Sequence, residues 1–206
     1  MNWLPAIAAP AVVGAAFLAC GRIHPAILAY HVLCAVLILR NRTRIRPLLH
    51  PIRVPWKWAL GTTALFTLFL IAGPLLVSPE PYRDLFRRIL FPSGNPSSLF
   101  VLFAAYSLGV HVPIEEMFWR AVVLNPERDR PSLAILGQFL CFGALHAVPL
   151  GLILGYRGIL YSVPAGAAGA IWTALTIRTR TLWPALVSHW GADLVILGGM
   201  WFFFIR

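Results

Sequence analysis

The stretch VHVPIEEMFWRAVVL, residues 110–124, is apolar at most positions yet carries two adjacent glutamates and an arginine. Glu116 and Arg120 are four residues apart, so on a helix they share a face and can form an ion pair that lowers the cost of burying both charges. Glu115 points about 100° away from that face, which makes it the better candidate for chemistry, such as taking a proton from water. His111 precedes Glu115 by one helical turn and either orients it or simply lines the interior of the bundle.

Two later apolar runs are also interrupted by ionisable side chains. In CFGALHAVPL, His146 follows Phe142 by one helical turn, and its simplest alternative role is that of a core histidine bonded to a backbone carbonyl. In LWPALVSHWGADLVIL, His189 and Asp193 are again one turn apart. This pair either takes part in chemistry or forms an intrahelical hydrogen bond that lets both groups be buried. An ionised carboxylate at bilayer depth costs at least roughly 2.5–3.5 kcal/mol, so it needs a partner or a function.

These groups lie near mid-membrane if their helices span the bilayer. Counting about 1.5 Å per residue from the ends of the predicted spans puts His189 roughly 10 Å, Glu115 roughly 14 Å and His146 roughly 20 Å deep. We therefore predict that the three side chains face one cavity, within about 12 Å of one another. A carboxylate and two imidazoles there suit a hydrolase, in which the carboxylate activates water and an imidazole shares that work or stabilises an oxyanion. The same set also suits a proton relay.

The elements that must hold these groups are membrane-spanning helices. Mean hydropathy is +0.78, with 59% hydrophobic and 12% charged residues, which excludes an ordinary soluble domain. The pattern predicts an all-α, multi-pass transmembrane helical bundle that forms a single integral-membrane domain over residues 1–206. We expect about seven spans, the fifth of them short enough to be tilted or interrupted, at residues 3–20, 24–40, 58–77, 99–124, 133–148, 159–177 and 182–205.

The net charge of +10 reflects membrane orientation rather than nucleic-acid binding, because the basic residues are concentrated in short loops between spans. The segment RNRTRIRPLLHPIRVPWK, after the second span, holds six of the seventeen Lys and Arg. This bias predicts that the N-terminus and the loops after spans two, four and six lie on the cytoplasmic side. No Lys or Arg precedes residues 3–20, which favours a span over a signal peptide.

Two smaller features complete the pattern. Tyr82–Phe91, YRDLFRRILF, has basic and apolar positions at the spacing of an interfacial helix, with a solvated loop as the alternative. Three cysteines lack metal-ligand spacing, and we expect them to be small buried side chains: Cys20, Cys34 and Cys141.

At the ionisable positions the sequence resembles a known family. EEMFWR fits the pattern Glu-Glu-x-x-x-Arg, FGALH fits Phe-x-x-x-His, and HWGAD fits His-x-x-x-Asn/Asp, in that order along the chain. RTRTLWPALVSHWGAD also resembles the usual start of that family's last motif, a turn and Leu-Trp-Pro before the helix that carries the histidine. Together the motifs are similar to those of the CPBP intramembrane proteases, which include CAAX prenyl endopeptidases and bacteriocin-processing enzymes of the Abi type. The resemblance covers about residues 99–195, the motif-bearing core.

The resemblance implies an intramembrane endopeptidase with a glutamate-activated water as nucleophile. Glu115 would activate the water together with His146, while His189 and Asp193 would stabilise the oxyanion or position the scissile carbonyl. Three further side chains would support the architecture of this site: Glu116, Arg120 and Phe142.

Asp193 is a departure, because the prenyl endopeptidases carry Asn at that position. An ionised aspartate would repel an oxyanion, so we expect it to be protonated, paired with His189, or used in another role. Zinc is the alternative to a metal-free mechanism, since four side chains are acceptable ligands: Glu115, His146, His189 and Asp193. No HExxH motif is present, and we predict that the reaction needs no metal or other cofactor.

The expected partner is a peptide or protein substrate, lipidated or membrane-anchored, together with membrane lipid and without nucleic acid. The short loops resemble those of the bacterial members, so the expected location is the bacterial plasma membrane. Two other function classes stay open. One is a catalytically inactive binding or immunity protein of the same fold, and the other is a proton-coupled transporter that uses the buried carboxylates as a relay. Inverted repeats with interrupted helices would favour the transporter, and the sequence shows no such symmetry.

Overall fold

The computed structural model describes residues 1–50, 56–76, 96–126 and 129–202. The structure is about 91% helical, and the described residues contain no β-strand, which confirms the predicted all-α class. The chain divides into two compact units, Met1–Pro55 with Ile114–Ala185, and Trp56–Pro113 with Leu186–Arg206. A single functional domain over residues 1–206 stays a prediction.

The described residues form nine α-helices and one 3-10 turn. In chain order they are α1 (Trp3–Cys20), α2 (Ile23–Arg40), α3 (Arg42–Ile45), a 3-10 turn (Arg46–Leu49), α4 (Trp56–Leu76), α5 (Pro96–Tyr106), α6 (Val112–Met117), α7 (Pro131–Leu154), α8 (Tyr156–Thr179) and α9 (Trp183–Met200). Two wide π-helical turns, Ser107–His111 and Phe118–Val123, lie on either side of α6. They continue the helix of α5 and α6 rather than break it.

Each of the seven predicted spans coincides with a helix. In the part of the chain that the structure describes, five helical segments are long and apolar enough to cross a membrane: Trp3–Cys20, Ile23–Arg40, Ser98–Val123, Pro131–Leu154 and Tyr156–Thr179. Helices α4 and α9 occupy the third and seventh predicted spans without being among these five. Polar residues such as His189 and Asp193 lower the apolar character of α9.

The prediction of a short fifth span is wrong. Helix α7 has 24 residues and contains Pro149 inside it. A proline read from sequence suggests a helix end, because it removes one backbone hydrogen bond and crowds the preceding turn. Here the helix continues past the proline to Leu154, so it is long enough to cross the bilayer.

Two of the smaller predictions have different outcomes. The predicted interfacial helix at Tyr82–Phe91 lies outside the described residues. Burial of the cysteines holds for Cys34, whereas Cys141 is partly exposed and Cys20 is exposed. Cys20 is the last residue of α1 and is followed by Gly21 in the left-handed conformation, so it lies at a helix end rather than inside the bundle.

One end of the first unit gathers the chain segments that were predicted to share a side. Asn2 N donates to Val123 O at 2.7 Å, and Arg44 donates to the Leu124 carbonyl. The loop after α8 reaches the same end, where Leu182 N donates to Leu48 O at 2.9 Å. The N-terminus and the loops after spans two, four and six therefore lie together, as the alternation of spans requires.

Helices α7 and α8 pack closely because glycines face the neighbouring helix. A Cβ on Gly166 would lie 2.7 Å from the Phe139 carbonyl oxygen, and one on Gly169 would lie 2.9 Å from Phe142 Cβ. These distances are shorter than carbon atoms tolerate, so a larger residue would force the helices apart. The close approach lets Trp172 of α8 pack edge-on against Phe142 of α7, with ring centroids 6.0 Å apart.

The second unit is held by an apolar cluster and by polar contacts between its helices. Phe100 and Leu197 are buried in this cluster. The wide turn Ser107–His111 ends two residues before Pro113, whose ring crowds the carbonyl four residues earlier and so favours a widened helix. Within that turn the Leu108 carbonyl accepts a hydrogen bond from Trp190 Nε1 at 2.7 Å.

Candidate active site

Glu116 and Arg120 form the ion pair that their spacing predicted. Arg120 Nε lies 3.4 Å from Glu116 Oε2, and both side chains are 0% exposed. Arg120 Nη1 also donates to Gln138 Oε1 at 2.8 Å. The guanidinium lies over the rings of Phe142 and Trp172, 5.3 and 5.8 Å from their centroids. A carboxylate, an amide and two aromatic faces thus surround this charge and offset the loss of its hydration.

Glu115 is only 1% exposed and, like Glu116, interacts electrostatically with Arg120. Its charge interacts electrostatically with Tyr30 and Cys34 of α2, which are also buried. The Tyr30 hydroxyl accepts a hydrogen bond from Trp119 Nε1 at 2.8 Å and is hydrogen bonded to Cys34. Helix α2, which carries none of the three motifs, therefore supplies part of the environment of this carboxylate.

His146 has a defined tautomer. Its Nδ1 lies 2.9 Å from the Phe142 carbonyl oxygen. Because a carbonyl can only accept, Nδ1 carries the proton, and Nε2 of the neutral ring is then an acceptor. The hydrogen bond that the alternative role of a core histidine predicts, from the ring to a backbone carbonyl, is therefore present. The same bond orients the ring and leaves Nε2 as the atom that a general base uses.

Phe142 connects the first motif to the second. Its ring lies next to the Arg120 guanidinium and also next to the His146 imidazole, where the ring centroids are 4.7 Å apart. Trp119 packs edge-on against the same phenyl ring at 5.5 Å. A continuous set of contacts therefore runs from Glu116 through Arg120 and Phe142 to His146.

His189 and Asp193 form a looser pair within α9, in the second unit. His189 Nε2 lies 3.6 Å from Asp193 Oδ1, and the side chains are 5% and 17% exposed. This distance, like the 3.4 Å between Arg120 and Glu116, is within ion-pair range but longer than a direct hydrogen bond, so the two pairs differ mainly in burial. The neighbouring Ser188 Oγ accepts a hydrogen bond from Thr62 Oγ1 of α4 at 2.8 Å. The contact between the paired side chains, expected from their spacing, is present.

The residues of the three motifs therefore belong to two different compact units. Glu115 and His146 belong to the first unit, and His189 belongs to the second. The cavity shared by these three side chains stays a prediction. His111 is the last residue of the wide turn Ser107–His111, and its predicted role towards Glu115 stays a prediction as well.

Sequence reasoning missed several side chains that surround the candidate site. Gln138 was detectable, because it is a polar residue inside an apolar run, like His146. Tyr30, Trp119 and Trp172 carried no such signal, since aromatic residues are ordinary in membrane-spanning helices. Their importance depends on contacts between segments far apart in the chain.

Zinc was the alternative cofactor, and a zinc site needs at least three protein ligands. Among the residues that the structure describes, no three His, Cys, Asp or Glu side chains are grouped closely enough to hold a metal ion. The four candidate ligands belong to two different units, so zinc at these residues stays an alternative prediction. Metal independence stays a prediction that needs its own measurement.

The described residues include five apolar helical segments of membrane-spanning length and a buried Glu-Glu-x-x-x-Arg motif, which define an integral membrane protein with an ionisable site inside its helices. A comparison with protein families shows which family the sequence matches. The family model described as Type II CAAX prenyl endopeptidase Rce1-like matches residues 96–195. Residues 96–195 thus match the CPBP and CAAX protease family, and the family predicted from the three motifs is confirmed for this part of the chain. No curated protein and no solved structure matches the chain significantly.

Proposed function

We propose that this protein is an intramembrane endopeptidase that hydrolyses a peptide bond near the C-terminus or leader of a membrane-associated substrate. The observation that carries the proposal is the orientation of His146, whose Nδ1–H donates to the Phe142 carbonyl and leaves Nε2 as an acceptor. The order of the three motifs within a protease family supports it. A carboxylate as buried as Glu115 requires a role or a partner at this depth.

In the proposed reaction, Glu115 and His146 Nε2 take a proton from water, and the resulting hydroxide attacks the scissile carbonyl. The carbonyl oxygen becomes an oxyanion. His189, as the imidazolium, donates a hydrogen bond to that oxyanion, while Asp193 balances the imidazolium charge. Collapse of the intermediate breaks the C–N bond, and the proton held by Glu115 and His146 passes to the leaving amine. No metal takes part in this scheme.

The proposed substrate is a peptide or protein that is membrane-anchored or lipidated. A site inside apolar helices is reached most readily by a chain that is already held at the bilayer. The proposed location is the bacterial plasma membrane, because the loops are short and the Lys and Arg residues are concentrated in loops on one side of the membrane.

The proposal is tested by replacing Glu115 with glutamine, which keeps the size and hydrogen bonding of the side chain but removes the base. Membranes that contain the wild type or Glu115→Gln are compared by peptide mass spectrometry, and cleavage should disappear with the variant while the thermal unfolding temperature in detergent is kept. His146→Gln should likewise abolish cleavage.

Two outcomes would replace the proposal. A cellular phenotype that survives Glu115→Ala, with no wild-type cleavage product, would indicate a binding or immunity protein of the same fold. Flux of a solute into liposomes that depends on a pH gradient, again without cleavage, would indicate a proton-coupled transporter.

A further inference from the structure

Gln138 is a fully buried amide that belongs to none of the three motifs. It is 0% exposed, and both ends of its amide bind the same segment. Its Nε2 donates to Trp119 O at 2.9 Å, and its Oε1 accepts from Arg120 Nη1 at 2.8 Å. A carbonyl can only accept and a guanidinium can only donate, so these partners define the orientation of the amide. Substitution by any other residue disturbs at least one of the two bonds.

The segment that Gln138 holds is the wide turn Phe118–Val123. In this turn the Trp119 carbonyl also accepts a hydrogen bond from Leu124 N, at 3.3 Å, five residues later. A π-helical turn is less favourable than an α-helical one and persists where surrounding contacts support it. Gln138 supplies such a contact from a different helix. It therefore links the geometry of the wide turn to the position of α7.

Helix α7 transmits this link towards His146. Gln138, Phe142 and His146 follow one another at four-residue intervals, so they lie along one face of the helix. Gln138 and Phe142 both contact Arg120, one by a hydrogen bond and the other by its ring. Because a helix is stiff over this length of about 12 Å, the point at which Gln138 is held determines how far along the bundle His146 lies.

We propose that Gln138 is a positioning residue that sets the register between the helix bearing Glu115 and the helix bearing His146. The expected effect on catalysis rests on the proposed function. The expected effect on the position of His146 does not. A buried amide that only stabilises the fold is the alternative. The two differ in what happens to the folded protein when the amide is changed, because a register shift moves His146 and a local loss of stability does not.

Two variants separate these roles. Gln138→Glu keeps an acceptor for Arg120 Nη1 but loses the donor to Trp119 O. Gln138→Asn keeps both functions on a side chain one methylene shorter, so α7 must shift or one bond must break. Thr176→Val is the matched control, because Thr176 is buried to the same extent and its hydroxyl donates to the Trp172 carbonyl of its own helix at 2.9 Å.

Two measurements are made on each folded variant in detergent. The first is peptide turnover, with kcat and KM determined separately. The second is nitrogen NMR of histidine-labelled protein, in which the His146 signals are assigned from the spectrum of His146→Gln. For Gln138→Glu and Gln138→Asn we expect kcat to fall on the order of 10-fold to 100-fold at similar KM, since a displacement of about 1 Å has effects of that size. The His146 ring signals should shift in both variants and stay unchanged in Thr176→Val.

The outcomes distinguish this inference from the proposed function. Lower unfolding temperatures with unchanged kcat and unchanged His146 signals would overturn the positioning role and leave the protease intact. If the wild type cleaves no peptide, the proposed function fails, and the His146 signals alone decide whether Gln138 sets the register. If Gln138→Glu does not fold, Gln138→Asn carries the same test.

Discussion

Two ionisable pairs at the same four-residue spacing are held in very different ways. Glu116 and Arg120 are completely buried, and Arg120 also contacts an amide and two aromatic rings. The His189 and Asp193 side chains are 3.6 Å apart, and the aspartate keeps 17% of its surface exposed. A charge surrounded on all sides is suited to holding a structure, whereas a looser pair can still meet a ligand. The spacing alone does not distinguish the two.

The largest expected effect is on the tightly held pair. Glu116→Gln leaves the Arg120 guanidinium without the charge that neutralises it, and unfolding free energy should fall by about 3–5 kcal/mol. Thermal or denaturant unfolding in detergent measures this loss, with Glu115→Gln as the neighbouring control that should change stability much less. Equal losses in the two variants would contradict the division between a structural and a catalytic glutamate.

Replacing the second partner as well sharpens that result. Adding Arg120→Met to Glu116→Gln removes the unpaired charge and keeps an unbranched side chain between Phe142 and Trp172. The double variant should regain part of the stability lost by Glu116→Gln. No recovery would show that the aromatic and amide contacts of Arg120, rather than its charge balance, dominate.

A smaller effect is expected from the helix packing behind Arg120. Gly169→Ala places a methyl group 2.9 Å from Phe142 Cβ, so α7 and α8 must separate slightly. We expect a loss of about 1–3 kcal/mol in unfolding free energy. Gly198→Ala is the matched control in a helix, because a Cβ there meets no atom within 4 Å. Similar stability in both variants would mean that the two helices adjust without strain.

The looser pair should respond more in activity than in stability. Asp193→Asn restores the residue of the prenyl endopeptidases and should keep part of the activity, whereas Asp193→Ala and His189→Ala should lose it. Unfolding free energy should fall less than in Glu116→Gln, because this pair is less completely enclosed than Glu116 and Arg120. The double alanine variant should be little worse than either single one, because residues that act as a unit are not additive.

Peptide turnover of the wild type and these variants provides the measurement. Full wild-type activity in Asp193→Ala would assign that residue a structural role. The two ion pairs would then differ in burial but not in function.

The smallest effect is expected from metal removal. Treating the purified protein with a chelator, followed by refilling with zinc, should leave turnover unchanged at each step. The control is direct metal analysis of the treated protein. Loss of activity on stripping and return on refilling would make His189 and Asp193 candidate ligands rather than an oxyanion-binding pair.

Local patterns predicted much of the fold and the ion pairs. Long apolar runs located a helix at each of the seven predicted spans, because a bilayer core about 30 Å thick demands such runs. Four-residue spacing correctly brought together Glu116 with Arg120 and His189 with Asp193, since helix geometry alone makes such residues neighbours. The fifth span was predicted to end at residue 148, whereas α7 continues through Pro149 to Leu154.

The sequence by itself determined the helical class, the family and the spacing of the ionisable residues, because these depend on composition and on contacts within one helix. Tertiary structure decided which of those residues is surrounded and which stays accessible. Gln138 reaches Arg120, and Tyr30 reaches Trp119, across separate helices. Such contacts depend on how closely two helices approach, which glycines such as Gly166 and Gly169 permit. Short-range periodicity carries no information about how closely two helices approach. Only the packed structure therefore shows that the Glu116–Arg120 pair is fully enclosed and the His189–Asp193 pair is partly exposed.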